Sequence, residues 1–548
     1  MGSVGGTGFG VGDVAVVGAG PCGLAAAKYL LAQGVFDSVV VFEQQSEVGG
    51  VWNYSADPSR TLRVPQQSPF CPPDPPIRPP GTPSPLFPSP VYEMLHANIP
   101  APLMQFLDLD FPKGGLIFPT REQIQQYLVE YSQDVRHVVK FCTQIKDIRL
   151  RQEGGKDRWD LDAESTVTGE VFSRTFDAVV VASGHYSTTY IPDVASIEDF
   201  HRTNPGIITH SKSYRKAEAF SGKKVVVVGN AASGLDIATQ VGRLSQQPLL
   251  LSVRSPTPPD KLERTGCQEV PVIVEFLPAE RGVKFRGGRV ETDIDSIIFC
   301  TGYLFSYPFL RGLGSSGITD GRRVYGLHRD LIHIDHSTIA FAGLPMKVVP
   351  FPLSESQGAI LARVWSDALA LPSKEAMRRW EDEMTSGRGP AFHAYPKGGD
   401  IAYINETYDW ISRASPSGKP PPRWNEERVW MRQIGAEAKL EFERSGCAAT
   451  SLDELGFHYS HANDQSRPPQ EGRSPPSNPR ERSPSTTLAQ GTRIDLSHGP
   501  TWLGCPEPPG PASPPASPHA RFAPPTIQTE RDGPSQSQDY YSVLPRPS

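Results

Sequence analysis

Seven short apolar runs punctuate the chain: "VAVVG", "SVVVFE", "DAVVVASG", "KVVVVG", "PLLLSVR", "DSIIFCTG" and "STIAFAG". They are continuous rather than alternating, which is the pattern of strands covered on both faces, so each predicts a buried strand of an α/β fold. Helical spacing appears between them. In "TREQIQQYLVEYSQDV", Ile124, Tyr127, Leu128 and Tyr131 make one apolar stripe, and Thr120 with Gln123 makes a capping-box signature at the start. That helix is expected to pack into the core.

Two stretches break the pattern. Residues 65–90 carry 12 prolines in 26 positions. Each proline removes a backbone donor and holds φ, so an extended or irregular surface excursion is expected. From about residue 461 Pro and Ser displace aliphatic residues, as in "RPPQEGRSPPSNPRERSPS". Burial there cannot offset the entropy of ordering, and 459–548 is expected to be a disordered tail. The glycines of the N-terminal "MGSVGGTGFGVG" follow no strand and are expected to form a flexible leader.

The first strand runs into "GAGPCG", with Gly18, Gly20 and Gly23 at G-x-G-x-x-G spacing. The first glycine permits the turn, the second lets backbone approach a pyrophosphate, and the third lets helix and strand pack closely. Glu43 closes the next strand twenty residues after Gly23, where a carboxylate accepts hydrogen bonds from a ribose. A first dinucleotide site is therefore expected over Gly18, Ala19, Gly20, Pro21, Cys22, Gly23 and Glu43. Gly50, Val51 and Trp52 of "GGVWNY" join it, with Trp52 able either to cover a flat ring or to pack as core.

A second unit follows. "VVGNAASG" keeps Gly229 and Gly234 but has Ala231 in the middle, where a methyl is expected to crowd a pyrophosphate. Arg254 stands twenty residues after Gly234, the count that separates Glu43 from Gly23. An acid repels a 2′-phosphate and a guanidinium grips one, so the first unit suits FAD or NAD and the second NADPH. Ala231, Ala232, Ser233, Ser252 and Arg254 are the further contacts expected in the second site. A hydride is the obvious traffic between two such cofactors.

The formal charge of −6 offers no basic excess for binding nucleic acid. Seven cysteines are scattered without a redox or zinc pair, which fits a reducing, cytoplasmic setting. No run of 18 apolar residues signals a membrane span. His328, His333, Asp335 and His336 of "LHRDLIHIDHS" invite a metal reading, but strand alternation is expected to point His336 away from His333 and Asp335, so no metal is expected.

At this point the chain resembles the flavin-containing monooxygenases. Their motif F-x-G-x-x-x-H-x-x-x-(Y or F) corresponds to "NPGIITHSKSY", with Gly206, His210 and Tyr214 in place and Asn204 where the motif has Phe. "SPVYEMLHANIP", "FPTREQIQQYL", "FCTGYLFSYPFL", "FAGLP" and "PFPLSESQ" carry the resemblance onward, over about residues 13–458. It implies two Rossmann-like domains: an FAD-binding domain in two parts, 13–187 and 292–458, split by an NADPH-binding domain at 188–291. It also implies a reaction in which NADPH reduces FAD, dioxygen adds as a hydroperoxide, and a soft sulfur or nitrogen nucleophile of a small-molecule substrate takes one oxygen. By motif position the family's active-site Asn falls on Asn98, and Gln357 corresponds to a residue near the flavin ring. His210 and Tyr214 are expected to support cofactor binding, with His210 a hinge rather than a general base. A ketone-oxidising Baeyer–Villiger enzyme and a non-catalytic dinucleotide-binding scaffold stand as alternatives.

Overall fold

The computed structural model describes residues 8–58, 61–79, 81–310, 313, 318–414 and 416–460. Residues 1–7 of the expected leader and the expected disordered tail from 461 onward lie outside the described residues. The chain begins with β1 (Asp13–Val17), α1 (Pro21–Gln33) and β2 (Ser38–Phe42). A long, mostly irregular stretch follows, holding α2 (Ala101–Met104) and ending in α3 (Arg121–Tyr131). Next come β3 (Val139–Lys140), β4 (Thr143–Glu153), β5 (Lys156–Ser165), β6 (Val171–Phe176), β7 (Ala178–Val181) and β8 (Thr188–Thr189). The second unit runs α4 (Ile197–Thr203), β9 (Ile208–His210), β10 (Val225–Val228), α5 (Ala232–Gly242), β11 (Leu250–Val253) and α6 (Pro259–Thr265). It continues through β12 (Gln268–Pro271), β13 (Ile273–Leu277), β14 (Gly282–Phe285), β15 (Val290–Glu291) and β16 (Ser296–Phe299). The last strands are β17 (Tyr303–Leu304), β18 (Leu327–His328), β19 (Ile332–His333) and β20 (Ile339–Phe341). Four helices close the described chain: α7 (Pro350–Trp365), α8 (Lys374–Arg388), α9 (Gly399–Ser412) and α10 (Glu426–Arg444).

Two sheets organise these elements. The first has strand order β18-β19-β20-β7-β1-β2-β3 and is parallel from β20 to β3. The second, β12-β11-β10-β16-β9, is parallel throughout. The chain leaves the first sheet after β7 and returns to it at β18, so the first unit is split by the second. One expected boundary moves. Because β16 pairs with β10 and β9, the second unit extends to residue 299 instead of ending at 291.

All seven apolar runs are strands of these sheets, and their continuity has a direct cause. Val14 and Val16 of β1 enter one core while Ala15 and Val17 enter another on the opposite face. In β10, Val226 faces one core and Val225 and Val227 the other. The antiparallel strands β4, β5 and β6 cover one face of the first sheet through Ile148, Trp159 and Leu161. Their outer face is charged, with Arg149 paired to Asp162 and Arg151 to Asp160, so they show no continuous apolar run.

The helices on the other face follow the same logic. α1 starts with Pro21, ends at Gly34 with φ +72°, and is almost wholly buried. It lies so close to α7 that a Cβ on Gly358 would sit 3.2 Å from the Ala25 carbonyl oxygen. α3 has both bonds of its capping box, and its apolar stripe stacks on aromatic rings, Tyr131 lying 3.6 Å from Phe106 between centroids. No helix among the described residues is long and apolar enough to cross a membrane.

Candidate functional site

The turn after β1 is built around contacts that a side chain would destroy. Gly18 has φ +103° and donates its N–H to the Phe42 carbonyl at 2.8 Å, and a Cβ there would lie 2.7 Å from the Ala182 carbonyl oxygen. A Cβ on Gly23 would overlap the Gly18 carbonyl oxygen, so α1 reaches its position only with glycine there. Gly20 is the extended residue that caps α1, followed by Pro21. Opposite it stands Gly50, at φ +58°, whose Cβ would come within 3.1 Å of the Gly20 Cα. The two backbones thus pack directly against each other, with no side chain between them.

Glu43 is turned inward beside this contact. Its Oε2 accepts from the Ala19 N–H at 2.7 Å and its Oε1 from the Gln45 N–H at 2.9 Å. Burial pushes its carboxyl up to about 7, against the downward pull of the amide donors. The loop that brings in Gly50 is held by α3, where Gln125 donates to the Val48 carbonyl at 2.7 Å and to Asn53 at 2.9 Å. Trp52 packs half-buried against the core of the first sheet, and the neighbouring Val51 carbonyl accepts from the Ser89 hydroxyl. Cys22 is pressed against Gly343, and burial raises its thiol to about 12, so it stays protonated. Gln357, fully buried on α7, accepts from the Gly343 N–H at 2.8 Å and so fixes the backbone over Cys22.

The turn after β10 repeats the construction. Gly229 has φ +108°, donates to the Ser252 carbonyl at 2.9 Å, and would place a Cβ 2.7 Å from the Cys300 carbonyl oxygen. A Cβ on Gly234 would overlap the Gly229 carbonyl oxygen. The middle residue, Ala231, caps α5 with φ −79° and ψ −176°, close to Gly20 at −74° and −178°. Alanine adopts that backbone without strain. Ala231, Ala232 and Ser233 are all exposed at the start of α5.

Arg254 needs a correction of position. In the ladders Val17 is opposite Phe42, and Val228 is opposite Ser252. Glu43 is therefore one residue beyond its partner strand position, and Arg254 is two beyond. The equal sequence counts hide a one-residue shift. Arg254 consequently stands past the end of β11, exposed, with no ion pair among the described residues. Ser252, by contrast, is buried and donates its hydroxyl to the Pro271 carbonyl at 3.0 Å, so that side chain is committed within the protein. Asn230 positions the Arg254 loop by donating to the Ser255 carbonyl at 3.0 Å and to Thr257 at 2.9 Å, while Glu269 accepts from the Thr257 N–H. Neither Asn230 nor Glu269 carried a sequence signal beyond lying in or near the turn.

One segment ties the two turns together. Tyr92 hydrogen-bonds through its hydroxyl to Asp236 of α5, and its ring meets Tyr214 edge-on at 5.2 Å. Five residues on, Ala97 is buried in the core that also holds Ala19, and Ile99 packs against it. Asn98 lies between them, exposed. Arg215 staples the crossing. This buried guanidinium donates to the carbonyls of Ser55, Ser89, Lys212 and Tyr214, drawing three distant segments to one point. The sequence showed only that Arg215 follows the tyrosine of the family motif. A cleft of about 550 Å³ opens beside this segment, lined by Tyr54, Met94, His96 and Arg121.

His210 and Tyr214 sit behind the site. His210 is fully buried, accepts at Nδ1 from the Lys212 N–H at 3.1 Å, and so donates from Nε2 to the Gly302 carbonyl at 3.1 Å. Burial lowers it to about 3, which leaves a neutral ring that braces the "TGY" turn. Tyr214 donates to Gln240 at 2.9 Å. The polar atoms of both side chains are thus bonded within the protein. The "LHRDLIHIDHS" histidines also depart from expectation. Residues 333–336 turn instead of continuing a strand, which stacks His333 on His336 at 5.4 Å, while His336 pairs with Asp157 at 3.0 Å. Among the described residues no group of three or more His, Cys, Asp or Glu side chains is arranged to hold a metal.

Comparison with known proteins matches residues 88–258 and 265–411 to a family described as flavin-binding monooxygenase-like. Residues 16–77 match an NAD(P)-binding Rossmann-like domain. Flavin-containing monooxygenase FMO GS-OX-like 4 of Arabidopsis thaliana is 31% identical over 386 residues, spanning 66% of this chain and 78% of that protein. The thiol-specific monooxygenase of Saccharomyces cerevisiae is 29% identical over 414 residues, spanning 73% and 85%. Among solved structures, S-allyl-L-cysteine S-oxygenase from Allium sativum superposes with a TM-score of 0.66 at 26% identity, covering 81% of this chain and 96% of that one.

Proposed function

The chain belongs to the flavin-containing monooxygenase family, an FAD- and NADPH-dependent enzyme class, and we propose that it oxygenates a soft nucleophile, sulfur before nitrogen, beside Asn98. One observation carries this reading. The two glycine turns are built alike but surrounded differently, and the segment that carries Asn98 is bonded to α5 through Tyr92 and packed through Ala97 into the core that holds Ala19.

The residues fit the two cofactors. The glycine turn presents the N-terminus of α1, where a pyrophosphate is favoured, and the Glu43 carboxylate has lone pairs left to accept from ribose hydroxyls. The uncommitted Arg254 guanidinium suits a 2′-phosphate beside the α5 N-terminus. Bound FAD, once reduced by NADPH, supplies the oxygen chemistry: one atom of dioxygen goes to the nucleophile and the other leaves as water. Asn98 donates from its amide to the reacting oxygen and accepts from a passing proton. Gln357 and Cys22 hold the Gly343 backbone in a dry, neutral wall. His210 contributes rigidity and no proton transfer, since its ring stays neutral and both nitrogens are occupied.

The preference for sulfur is supported by relatives named as a thiol-specific monooxygenase and an S-oxygenase. A panel of thiols, thioethers, amines and ketones, with NADPH, dioxygen uptake and product all measured, tests it. Stoichiometric sulfoxidation is expected. Ester formation from the ketones with no sulfur product would replace this reading by the Baeyer–Villiger one, and absence of NADPH-dependent oxygen uptake with every compound would reduce the chain to a binding scaffold.

A further inference from the structure

The middle of the proline-rich excursion takes no part in the reading above, yet it is highly ordered in composition. Residues 72–78 read Pro-Pro-Asp-Pro-Pro-Ile-Arg. Residues 71, 72, 74, 75, 78 and 79 each precede a proline, which disfavours helix, and the four prolines of the run hold φ themselves. Backbone freedom is nearly gone before any partner arrives. Six steps at the polyproline rise make a straight ridge about 19 Å long.

The protein displays this ridge with one particular side outward. Pro72, Pro73, Pro75, Pro76 and Arg78 are exposed, whereas Asp74 and Ile77 are half-buried. Those two are the anchors. Asp74 accepts from Thr61 at 2.7 Å and from the buried Lys212 ammonium at 2.8 Å. Ile77 exchanges backbone hydrogen bonds with Leu86 at 2.7 and 2.8 Å. A three-residue period therefore ties every third position to the body and turns the two proline pairs to solvent. Arg78 continues the outer side. It donates once to the Thr166 carbonyl at 2.9 Å and pairs with no carboxylate among the described residues.

We propose that Pro72–Arg78 is a docking ridge for a small domain of the SH3 kind, whose groove of aromatic rings takes the two proline pairs and whose adjoining acidic pocket takes Arg78. Aromatic grooves recognise the polyproline helix because the ligand is already extended and loses little entropy on binding. Here the pre-ordering is completed by Asp74 and Ile77, which spend the non-contacting positions on the protein itself. The single cation at the C-terminal end of the prolines sets the polarity of docking. The proposal stands independently of the oxygenase chemistry.

Isothermal titration of the full-length chain with purified SH3 domains that prefer a basic residue after their prolines, and with WW domains as counter-probes, decides it. Saturable one-to-one binding to the former is expected. Pro73→Ala combined with Pro76→Ala, and separately Arg78→Glu, should each weaken it at least about tenfold, the loss of one charge-assisted or well-packed contact. Flavin content and melting temperature should match those of the unaltered chain. Arg78→Glu touches one exposed contact only, so it keeps the test decisive if the double proline change disturbs the loop. No binding to any SH3 domain, binding to WW domains alone, or affinity unchanged in both variants, which would move the contact to the prolines beyond residue 461, overturns the proposal.

Discussion

The two glycine turns share a geometry to within a few degrees at Gly18 and Gly229, and to a tenth of an ångström in the bonds that those glycines donate. Their surroundings are opposite. The first is roofed by the Gly49–Trp52 loop, with Gly49 N–H bonded to the Ala19 carbonyl at 2.9 Å and Glu43 folded in. The second lies open at Ala231–Ser233, with Arg254 exposed at its rim and in no ion pair among the described residues. A roofed turn favours a cofactor that stays through many turnovers, while an open one favours a cofactor that arrives and leaves. The comparison teaches that the glycine spacing specifies how a phosphate is approached, and the second layer of contacts specifies how long it is kept.

The sharpest way to break this picture acts on the segment that carries Asn98. Asn98→Ala is expected to leave flavin reduction by NADPH near its original rate, because neither turn is touched. Loss of one preorganised donor should then lower the oxygenation step by about 100- to 1,000-fold, with NADPH consumption diverted to hydrogen peroxide. Stopped-flow reduction and a product-to-NADPH ratio read the two steps separately. A collapse of flavin reduction instead would assign Asn98 to nicotinamide placement.

Next in size is the open rim. Arg254→Ala removes a charge-assisted contact of about 1.5–3 kcal/mol and should raise KM for NADPH roughly 10- to 100-fold. KM for NADH should barely move. Equal losses with both would mean that the one-residue shift has carried Arg254 away from the 2′-phosphate.

The roofed turn predicts a pH effect that the open one lacks. Burial holds Glu43 up to about 7, so near pH 6 it is largely protonated. Accepting from ribose hydroxyls favours the carboxylate, so FAD binding releases a proton and affinity should rise with pH through 7 and level off above it. The slope is at most about tenfold per pH unit on the acid side. Reconstitution of flavin-stripped protein, followed by fluorescence quenching from pH 5.5 to 8.5, measures it, and Glu43→Gln should flatten the profile. The same sign applies to folding of the flavin-stripped chain. A carboxyl raised from 4.5 to about 7 destabilises the fold progressively as pH climbs through that window, and the destabilisation levels off above it.

The smallest change concerns the residue that looked most damaging. Ala231→Gly restores the missing glycine of the fingerprint, yet Ala231 already has an unstrained φ and no neighbour to clash with. KM for NADPH should shift by less than about twofold and stability by a few tenths of a kcal/mol. A large gain in affinity would show that the methyl does press on the bound phosphate.

Much of the framework was legible in the amino-acid sequence because it is recorded locally. A strand buried on both faces must be apolar at every position, so the seven runs announced themselves. A helix start must satisfy its own N–H groups, so Thr120 and Gln123 announced the start of α3, with Ile124, Tyr127, Leu128 and Tyr131 giving its buried face. The glycines 18, 23, 229 and 234 were readable because a side chain there overlaps backbone only a few residues away or one strand over. What tertiary structure alone decided involves partners far apart in the chain. The shift of Arg254 depends on strand register, which equal residue counts do not reveal. The membership of β16 in the second sheet depends on which edge it meets. Arg215 gathers Ser55, Ser89 and Lys212 through their backbone carbonyls, and since every residue type offers a carbonyl, no sequence pattern marks the acceptors. The roof over one turn and its absence over the other arise in the same way, from a loop and a helix folded back on Gly20 with no counterpart among the described residues folded onto Ala231.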